Sequence, residues 1–316
     1  MLPILTDSDL DRPEMMPAAL QAIEAALRAK RRGELVGPPR QHVPVSDLGE
    51  LVFTVGGLLG AEPVAGFRVY DTFAGSRQDQ VVAVWSADVG RLKGLVVGER
   101  LGALRTGAIG GLAIRLMSRA DATQMAIIGT GGQARAQLEA AVHVRKLTHV
   151  RVHSRDAIRR EIFAREMSRS LGLVVEPSPS IEAAVRDADI IVCATNSTQP
   201  LINAAWLKRG VHVTTIGPKL AGRHEIDLDA AEAARLIATD SPEQMRSYRS
   251  PFFLEGTAAM ERIQDLADLL EDPPVRTAED ISLFCSTGLA GTEVVVASRA
   301  LDLIGEGQNF VWSPAA

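Results

Sequence analysis

Residues 124–142, QMAIIGTGGQARAQLEAAV, decide how this chain is read. A short apolar run ends in Gly129-Thr130-Gly131-Gly132-Gln133-Ala134 and passes directly into a stretch rich in helix formers. A lone glycine pattern of this kind is weak, so its context has to carry it. Here a strand-like run precedes it, a helix opens on it, and the next apolar run, HVRVHSR (149–155), returns at the distance expected of a βαβ unit. In that setting Gly129 allows the tight turn, Gly131 lets the backbone approach a pyrophosphate, and Ala134 lets the helix pack on its strand. The free amides at the helix start then face the phosphates. A plain strand-to-helix turn is the competing reading, and the context makes it the weaker one. The pair Gly56-Gly57, with Gly60, precedes no helix and reads as turns or bulges.

The end of the second strand bears on which dinucleotide is bound. An acidic residue there would accept the ribose 2′-hydroxyl of NAD. This sequence has Ser154 and Arg155, a hydroxyl and a cation suited to a 2′-phosphate, followed at once by Asp156. NADP(H) is therefore favoured over NAD(H).

The same rhythm continues outward. A helix near 132–144 is followed by the 149–155 strand, a charged helix over 156–171, LVVEP (173–177), a short helix in 181–188, DIIVCAT (189–195), HVTTIG (212–217), ARLIATD (234–240), a helical segment around 258–270 and ISLFCS (281–286). Short apolar strands alternating with helices imply a parallel sheet covered on both faces, the doubly wound arrangement of Rossmann type. Upstream the pattern differs. Residues 14–32 have helical spacing and stop at Gly33, and 50–97 give β-type runs punctuated by glycine. Residues 101–119, LGALRTGAIGGLAIRLMSR, return to small and apolar residues at helical spacing. The fold class is thus α/β, a Rossmann-type sheet plus a second α+β domain. The domains are expected over 120–287 and over 1–119 with the tail 288–316.

Bulk properties limit the function. The 316 residues are 46% apolar and 23% charged, with a net charge of -5, the balance of a globular protein and not of a nucleic-acid binder. No signal-peptide pattern opens the chain, and the most apolar stretch, 51–67, is interrupted by Glu62 and Pro63, so a cytoplasmic protein with no membrane partner is expected. Cys193 and Cys285 are far apart and suggest neither a disulfide nor a zinc site. His224, Glu225 and Asp227 lack a third well-placed ligand, and no metal is expected. The other histidines are scattered and read as structural.

Five segments, LRTGAIGGLA (104–113), IIGTGGQARAQ (127–137), DADIIVCATNSTQPLI (187–202), IGPKLAGRHEID (216–227) and ISLFCSTGLAGTE (281–293), resemble the ornithine cyclodeaminase/mu-crystallin family in order and spacing. The resemblance implies a homodimer whose substrate and dimerisation domain is built from both chain ends. It also implies hydride transfer between a nicotinamide and an amino-acid Cα through an imine, acting on a small amino acid or imine. Ornithine cyclodeamination to proline and amino-acid dehydrogenation or imine reduction are the open reactions, with an NADPH-dependent binding protein of reduced catalysis as the alternative.

It further implies particular residues. Arg40 and Arg105 fall where the family holds the substrate carboxylate, which suits a guanidinium fork. Asp227 matches the catalytic aspartate; without the resemblance it would be no more than a helix cap. Thr195, Asn196, Ser197 and Gly217, after two strand ends, are expected to line the cofactor pocket. Three positions, in two segments, depart from the family. Arg68 stands where a catalytic lysine is usual, and an arginine can orient or polarise but does not release its proton. Cys285 and Glu293 replace a lysine and an aspartate of the late motif. Three arginines at one carboxylate site would suit a substrate more acidic than ornithine. Asp47, Glu50 and Asp71 are the candidates to receive a distal ammonium.

Overall fold

The computed structural model describes residues 2–47, 49–73 and 80–305. In chain order the elements are β1 (Ile4–Leu5), α1 (Asp7–Leu10), α2 (Met15–Arg31), β2 (Leu35–Val36), β3 (Gln41–Ser46), β4 (Gly49–Leu58), β5 (Val64–Asp71), β6 (Gln80–Ser86), β7 (Arg91–Val97) and α3 (Arg100–Met117). There follow β8 (Gln124–Ile128), α4 (Gly132–Val144), β9 (His149–His153), α5 (Ala157–Leu171), β10 (Val174–Pro177), α6 (Ile181–Val185), β11 (Ile190–Cys193), β12 (His212–Thr215), β13 (Lys219–Leu220) and β14 (Arg223–His224). The chain closes with α7 (Leu228–Ala233), β15 (Leu236–Thr239), α8 (Pro242–Arg246), β16 (Ile263–Asp265), α9 (Leu266–Glu271), β17 (Ser282–Cys285) and α10 (Thr292–Ile304). Two compact units result, residues 1–105 with 289–316, and residues 106–288. The division falls inside α3, whereas the sequence pattern places the change after that helix. The residues beyond 305 that the sequence assigns to the tail lie outside the described residues.

The 106–288 unit holds an eight-stranded sheet in the order β10-β9-β8-β11-β12-β17-β15-β16. Every pairing in it is parallel. A parallel sheet is buried on both faces, which explains why its strands read as unbroken apolar runs. Alternate side chains feed separate cores. Met125, Ile127, Ile190 and Val192 pack with Leu138 and Phe163 on one face. Ala126, Ile128, Ile191, Cys193 and Val213 pack on the other with Leu254 and Ala231. Each fully buried Val, Leu, Ile, Met or Phe among them contributes about 1.5–3 kcal/mol. One edge strand escaped the sequence reading: β16 occupies the stretch expected to be helical around 258–270. It is three residues long and pairs only with β15, too short to show a period of two.

The glycines of LRTGAIGGLA have a packing reason. A Cβ on Gly107 would lie 2.6 Å from the Ala136 carbonyl oxygen, and one on Gly110 would collide with the Gln137 amide. Their absence lets α3 and α4 meet backbone to backbone, and buried Gln137 donates to the Thr106 carbonyl at 3.0 Å. His212 is fully buried, its ring between the Ser282 hydroxyl and the Thr214 hydroxyl at 2.9 Å each. Burial lowers its pKa to about 3, with Arg276 and Arg145 adding to the shift, so it stays neutral and structural.

In the other unit the sheet order is β1-β7-β6-β5-β4-β2, with β3 also on β4. It is antiparallel except for the β1–β7 pair. Helix α10 packs across β4–β7 and against α2. Gly56 and Gly57 are not turn residues, as the sequence suggested, but lie within β4. A Cβ on Gly56 would come within 2.5 Å of the Gly291 Cα, so the glycine serves close backbone approach at the start of α10. Gly60, at φ +117°, does sit in the following turn.

Candidate functional site

The strand order of the parallel sheet reverses between β8 and β11, and ligands of doubly wound sheets bind at the carboxyl ends beside such a reversal. A cleft of about 390 Å³ lies there. Its lining includes Gly129, Thr130 and Gly131 from the glycine turn, Ser154, Arg155, Asp156 and Arg159 after β9, and Thr195, Asn196 and Ser197 after β11. Gly132, Gln133, Ala134 and Gly217, also singled out in the sequence, do not line it.

The turn is built for close approach. Gly129 has φ +117°, a conformation that side chains with a Cβ resist, and an added Cβ would collide with the Ala194 carbonyl. Gly131 is the N-cap of α4, and the direction a Cβ would take from Gly131 or Gly132 is open. Thus a smooth backbone surface, ending in the N-cap of a 13-residue helix, borders the cleft, and the free amides of a helix start favour an anion beside it. Ala134 is fully buried against the strand core. These residues fit the pyrophosphate of a dinucleotide.

At the far end of β9 the groups are sorted. The Ser154 hydroxyl donates to the Asp156 carbonyl at 2.9 Å. The Asp156 carboxylate accepts from the Arg159 amide at 3.0 Å, capping α5, and lies 3.5 Å from the Arg159 guanidinium. The Arg155 and Arg159 side chains are exposed beside it. The acidic group that left the sequence reading ambiguous is therefore occupied as a helix cap, and two cations border the cleft.

The second group of residues belongs to the antiparallel unit. On β5, Gly66, Arg68 and Tyr70 share the face that α10 covers, opposite Thr54 of β4 in register. Arg68 and Glu293 are buried, 6% and 1% exposed, and Arg68 Nη1 donates to Glu293 Oε1 at 2.9 Å. Arg68 Nε and Nη2 both donate to Gln80 Oε1, at 2.9 and 2.7 Å, and its guanidinium lies 4.3 Å from the Tyr70 ring centroid. Gly102 of α3 makes room, since a Cβ there would stand 3.0 Å from Arg68 Nη2. Arg105, also buried, places Nη2 3.3 Å from the same Glu293 oxygen, while its Nε and Nη1 are buried without a hydrogen-bond partner among the described residues. Burial alone would raise the Glu293 carboxyl, but Arg105, Arg68 and Arg40 together hold it down at about 2. Burial lowers the Arg68 pKa, and Glu293 opposes that shift.

The two departures from the family pattern are thus one feature: the arginine and the glutamate are partners. Cys285, the third departure, is buried at a strand end, with its thiol pushed up to about 12 by burial, and is inert. Among the candidates for a distal ammonium, the Glu50 carboxylate sits 2.6 Å from His42 Nδ1, and Asp71 accepts from the Phe73 amide at 3.0 Å. Asp47 is exposed.

Asp227 is the half-buried N-cap of α7, yet its side chain makes no capping hydrogen bond. Two residues earlier lies a group that the sequence reading weighed only as a metal ligand. Glu225 is fully buried, and its carboxylate accepts four hydrogen bonds of 2.7 Å, from the Thr195 amide and hydroxyl, the Thr215 hydroxyl and the Gly217 amide.

The model of the ornithine cyclodeaminase/mu-crystallin family matches residues 3–307. A Rhizobium meliloti protein named as a dehydrogenase is 41% identical over 143 residues, 45% of this chain, and the chain spans 43% of that relative's length. The alanine dehydrogenase of Archaeoglobus fulgidus is 26% identical over 306 residues, covering 93% of this chain and 92% of its own. The Delta(1)-pyrroline-2-carboxylate reductase of Bacillus cereus is 30% identical over 232 residues, 70% of this chain and 71% of the relative. Among solved structures, the Thermococcus litoralis Delta(1)-pyrroline-2-carboxylate reductase in complex with NADH and L-proline superposes with a TM-score of 0.88 at 25% identity, covering 97% of this chain and 98% of that one. No helix among the described residues is long and apolar enough to cross a membrane.

Proposed function

The chain belongs to the ornithine cyclodeaminase/mu-crystallin family, and we propose that it moves hydride between a nicotinamide dinucleotide and the Cα of a small amino acid by way of the imine. The observation that carries this is the cleft at the strand-order reversal, with the Gly129–Gly131 turn that caps α4 on one wall and Thr195–Ser197 on another. A bound nicotinamide supplies the two-electron hydride acceptor and donor that no side chain can.

The chain's own groups take the remaining tasks. Arg105 offers two buried donors without partners among the described residues, which suits a substrate carboxylate, and Arg40 is assigned beside it. Arg68 is held by Glu293 and Gln80 and keeps its proton, so its part is a fixed positive charge. Proton transfer to or from the substrate nitrogen, or activation of water, falls to Asp227. In the oxidative direction the Cα–H bond breaks with its electron pair leaving as hydride, the amine gives up one proton, and C=N forms. Ornithine would then close through its distal amine with loss of ammonia, whereas a dehydrogenase would let water attack.

The test is turnover with NADP(H) and NAD(H) across ornithine, lysine, alanine, aspartate, proline and cyclic imines. Absence of turnover with all of them sinks the enzymatic reading. Arg68 favours a second reading, a dinucleotide-dependent binding protein with reduced catalysis, because a lysine's acid role has no replacement at that position. Tight ligand binding without turnover, and activity gained on Arg68→Lys, would support it.

We assign NADP(H) as the preferred cofactor, because Arg155 and Arg159 border the cleft while Asp156 is engaged in capping. Losing charge-assisted bonds to a 2′-phosphate is worth about tenfold or more. The double variant Arg155→Ala/Arg159→Ala should therefore raise the Kd of NADPH by that factor and leave NADH nearly unchanged. A wild-type preference for NADH would contradict the assignment.

A homodimer is proposed from the face of the antiparallel sheet opposite α10. Phe53, Val69, Val81 and Val97 form one row across β4–β7, and Val55, Phe67, Ala83 and Leu95 a second. Val55 is 50% exposed, and Val81 and Val97 38% each, so this apolar surface needs a cover. Light scattering should give a dimer for the wild type and a monomer for Val55→Arg/Val81→Arg. A monomeric wild type at micromolar concentration would refute it.

A further inference from the structure

We infer that Glu225 is a positioning residue that locks the cofactor-lining loop after β11 to the loop carrying Asp227. The inference rests on the dinucleotide reading above. Its four donors come from two strand ends: Thr195 follows β11, and Thr215 with Gly217 ends β12. Two of the donors are backbone amides, which cannot turn away, so only an acceptor at both oxygens satisfies the set. A glutamine in the same place would aim its NH2 at one amide and one hydroxyl, leaving the amide unpaired in a site with no exposure.

The bonds continue in both directions. Toward the cleft, the Thr195 hydroxyl that donates to Glu225 accepts in turn from the Ser197 amide at 3.0 Å. Thr195, Asn196 and Ser197 all line the cleft, so the shape of that wall depends on the carboxylate behind it. Toward Asp227, the Glu225 carbonyl accepts from the Leu201 amide at 2.7 Å, Ile226 bridges to Ile202, and the Asp227 amide donates to the Ile202 carbonyl at 3.3 Å. Gly217 completes the contact, because any Cβ there would collide with the Thr195 carbonyl and crowd the Glu225 carboxylate. One buried charge therefore sets the position of a cofactor wall and of the segment ending in Asp227.

A built-in control separates this role from simple reinforcement of the sheet. Asp240, fully buried after β15, accepts from the Thr287 amide at 2.7 Å, the Thr287 hydroxyl at 3.0 Å and the Gly288 amide at 2.9 Å. It joins two other strand ends in the same manner, and neither it nor these partners line the cleft.

The experiment compares Glu225→Gln, Asp240→Asn and wild type by thermal unfolding, by NADPH and NADH titration of intrinsic fluorescence, and by turnover. Both variants should unfold at lower temperature. Only Glu225→Gln should weaken dinucleotide binding, by about tenfold or more, with a fall in kcat beside it. Thr195→Val, which removes one hydroxyl and keeps the fold's volume, should weaken binding in the same direction if Glu225→Gln fails to fold. Unchanged binding in whichever of these two variants folds overturns the inference, as does an equal loss in Asp240→Asn. A wild type that binds neither dinucleotide overturns the functional reading and this inference with it; a wild type that binds leaves that reading standing whatever Glu225→Gln does.

Discussion

Glu293→Gln is expected to lower the unfolding free energy by about 3–5 kcal/mol, the cost of removing one partner from a buried ion pair. The reason is that Glu293 is the shared counter-charge of Arg68 and Arg105, at 2.9 and 3.3 Å, in a site where it is 1% exposed. Without it both buried guanidinium groups lose their carboxylate. Urea denaturation measures the loss, and its pH dependence gives a second check. The folded carboxyl lies at about 2, below its usual 4.5, so its contribution is complete above 4.5 and disappears as pH falls toward 2. The gap between wild type and Glu293→Gln should narrow across that window. A gap under about 1 kcal/mol at neutral pH would mean that the pair is no stronger than a surface one. Glu293→Asp tests the length of the arm: one methylene shorter, it should fall between the two.

Asp227→Asn should lower kcat by about 10²–10⁴, the range of a positioned acid or base, with dinucleotide affinity and unfolding temperature close to wild type. The structural basis is the unusual state of this N-cap. Aspartate at such a position ordinarily accepts from the helix amides, and losing that bond costs about 1 kcal/mol. Asp227 makes no such bond, so its carboxylate is not committed to α7. Asp227→Ser separates the roles, because serine caps helices well but exchanges no proton near neutral pH. A serine variant with wild-type kcat would reduce Asp227 to a cap, and an asparagine variant within twofold of wild type would remove it from the chemistry.

The parts of this fold set by local rules were legible in the sequence. The strand, glycine turn and helix from Gln124 to Val144 could be read directly, because apolar period, a left-handed glycine and helix formers coincide there. Helix α2 and its stop at Gly33, φ +72°, followed in the same way. What failed depends on distant partners. β16 is too short to carry a period, and Gly56 exists for Gly291, which lies far along the chain. The candidate site divides similarly. The cleft-lining turn was visible, whereas Arg68 and Glu293, 225 positions apart, looked like two unrelated departures until folding paired them. Glu225 was hidden differently: beside His224 and Asp227 it suggested a ligand cluster, and only the two strand ends reveal its four donors.

The route of the chain has a consequence for the order of assembly during synthesis. Residues 106–288 form an uninterrupted unit that can close as soon as it emerges, while the first unit waits for α10, which follows that unit in the chain. Until then the sheet of β4–β7 lacks the helix that covers one face, and Arg68 and Arg105 lack their carboxylate. Helix α10 thus delivers apolar cover and negative charge together, so the emerging chain holds an open sheet and two cations awaiting it for as long as the ribosome takes to reach it.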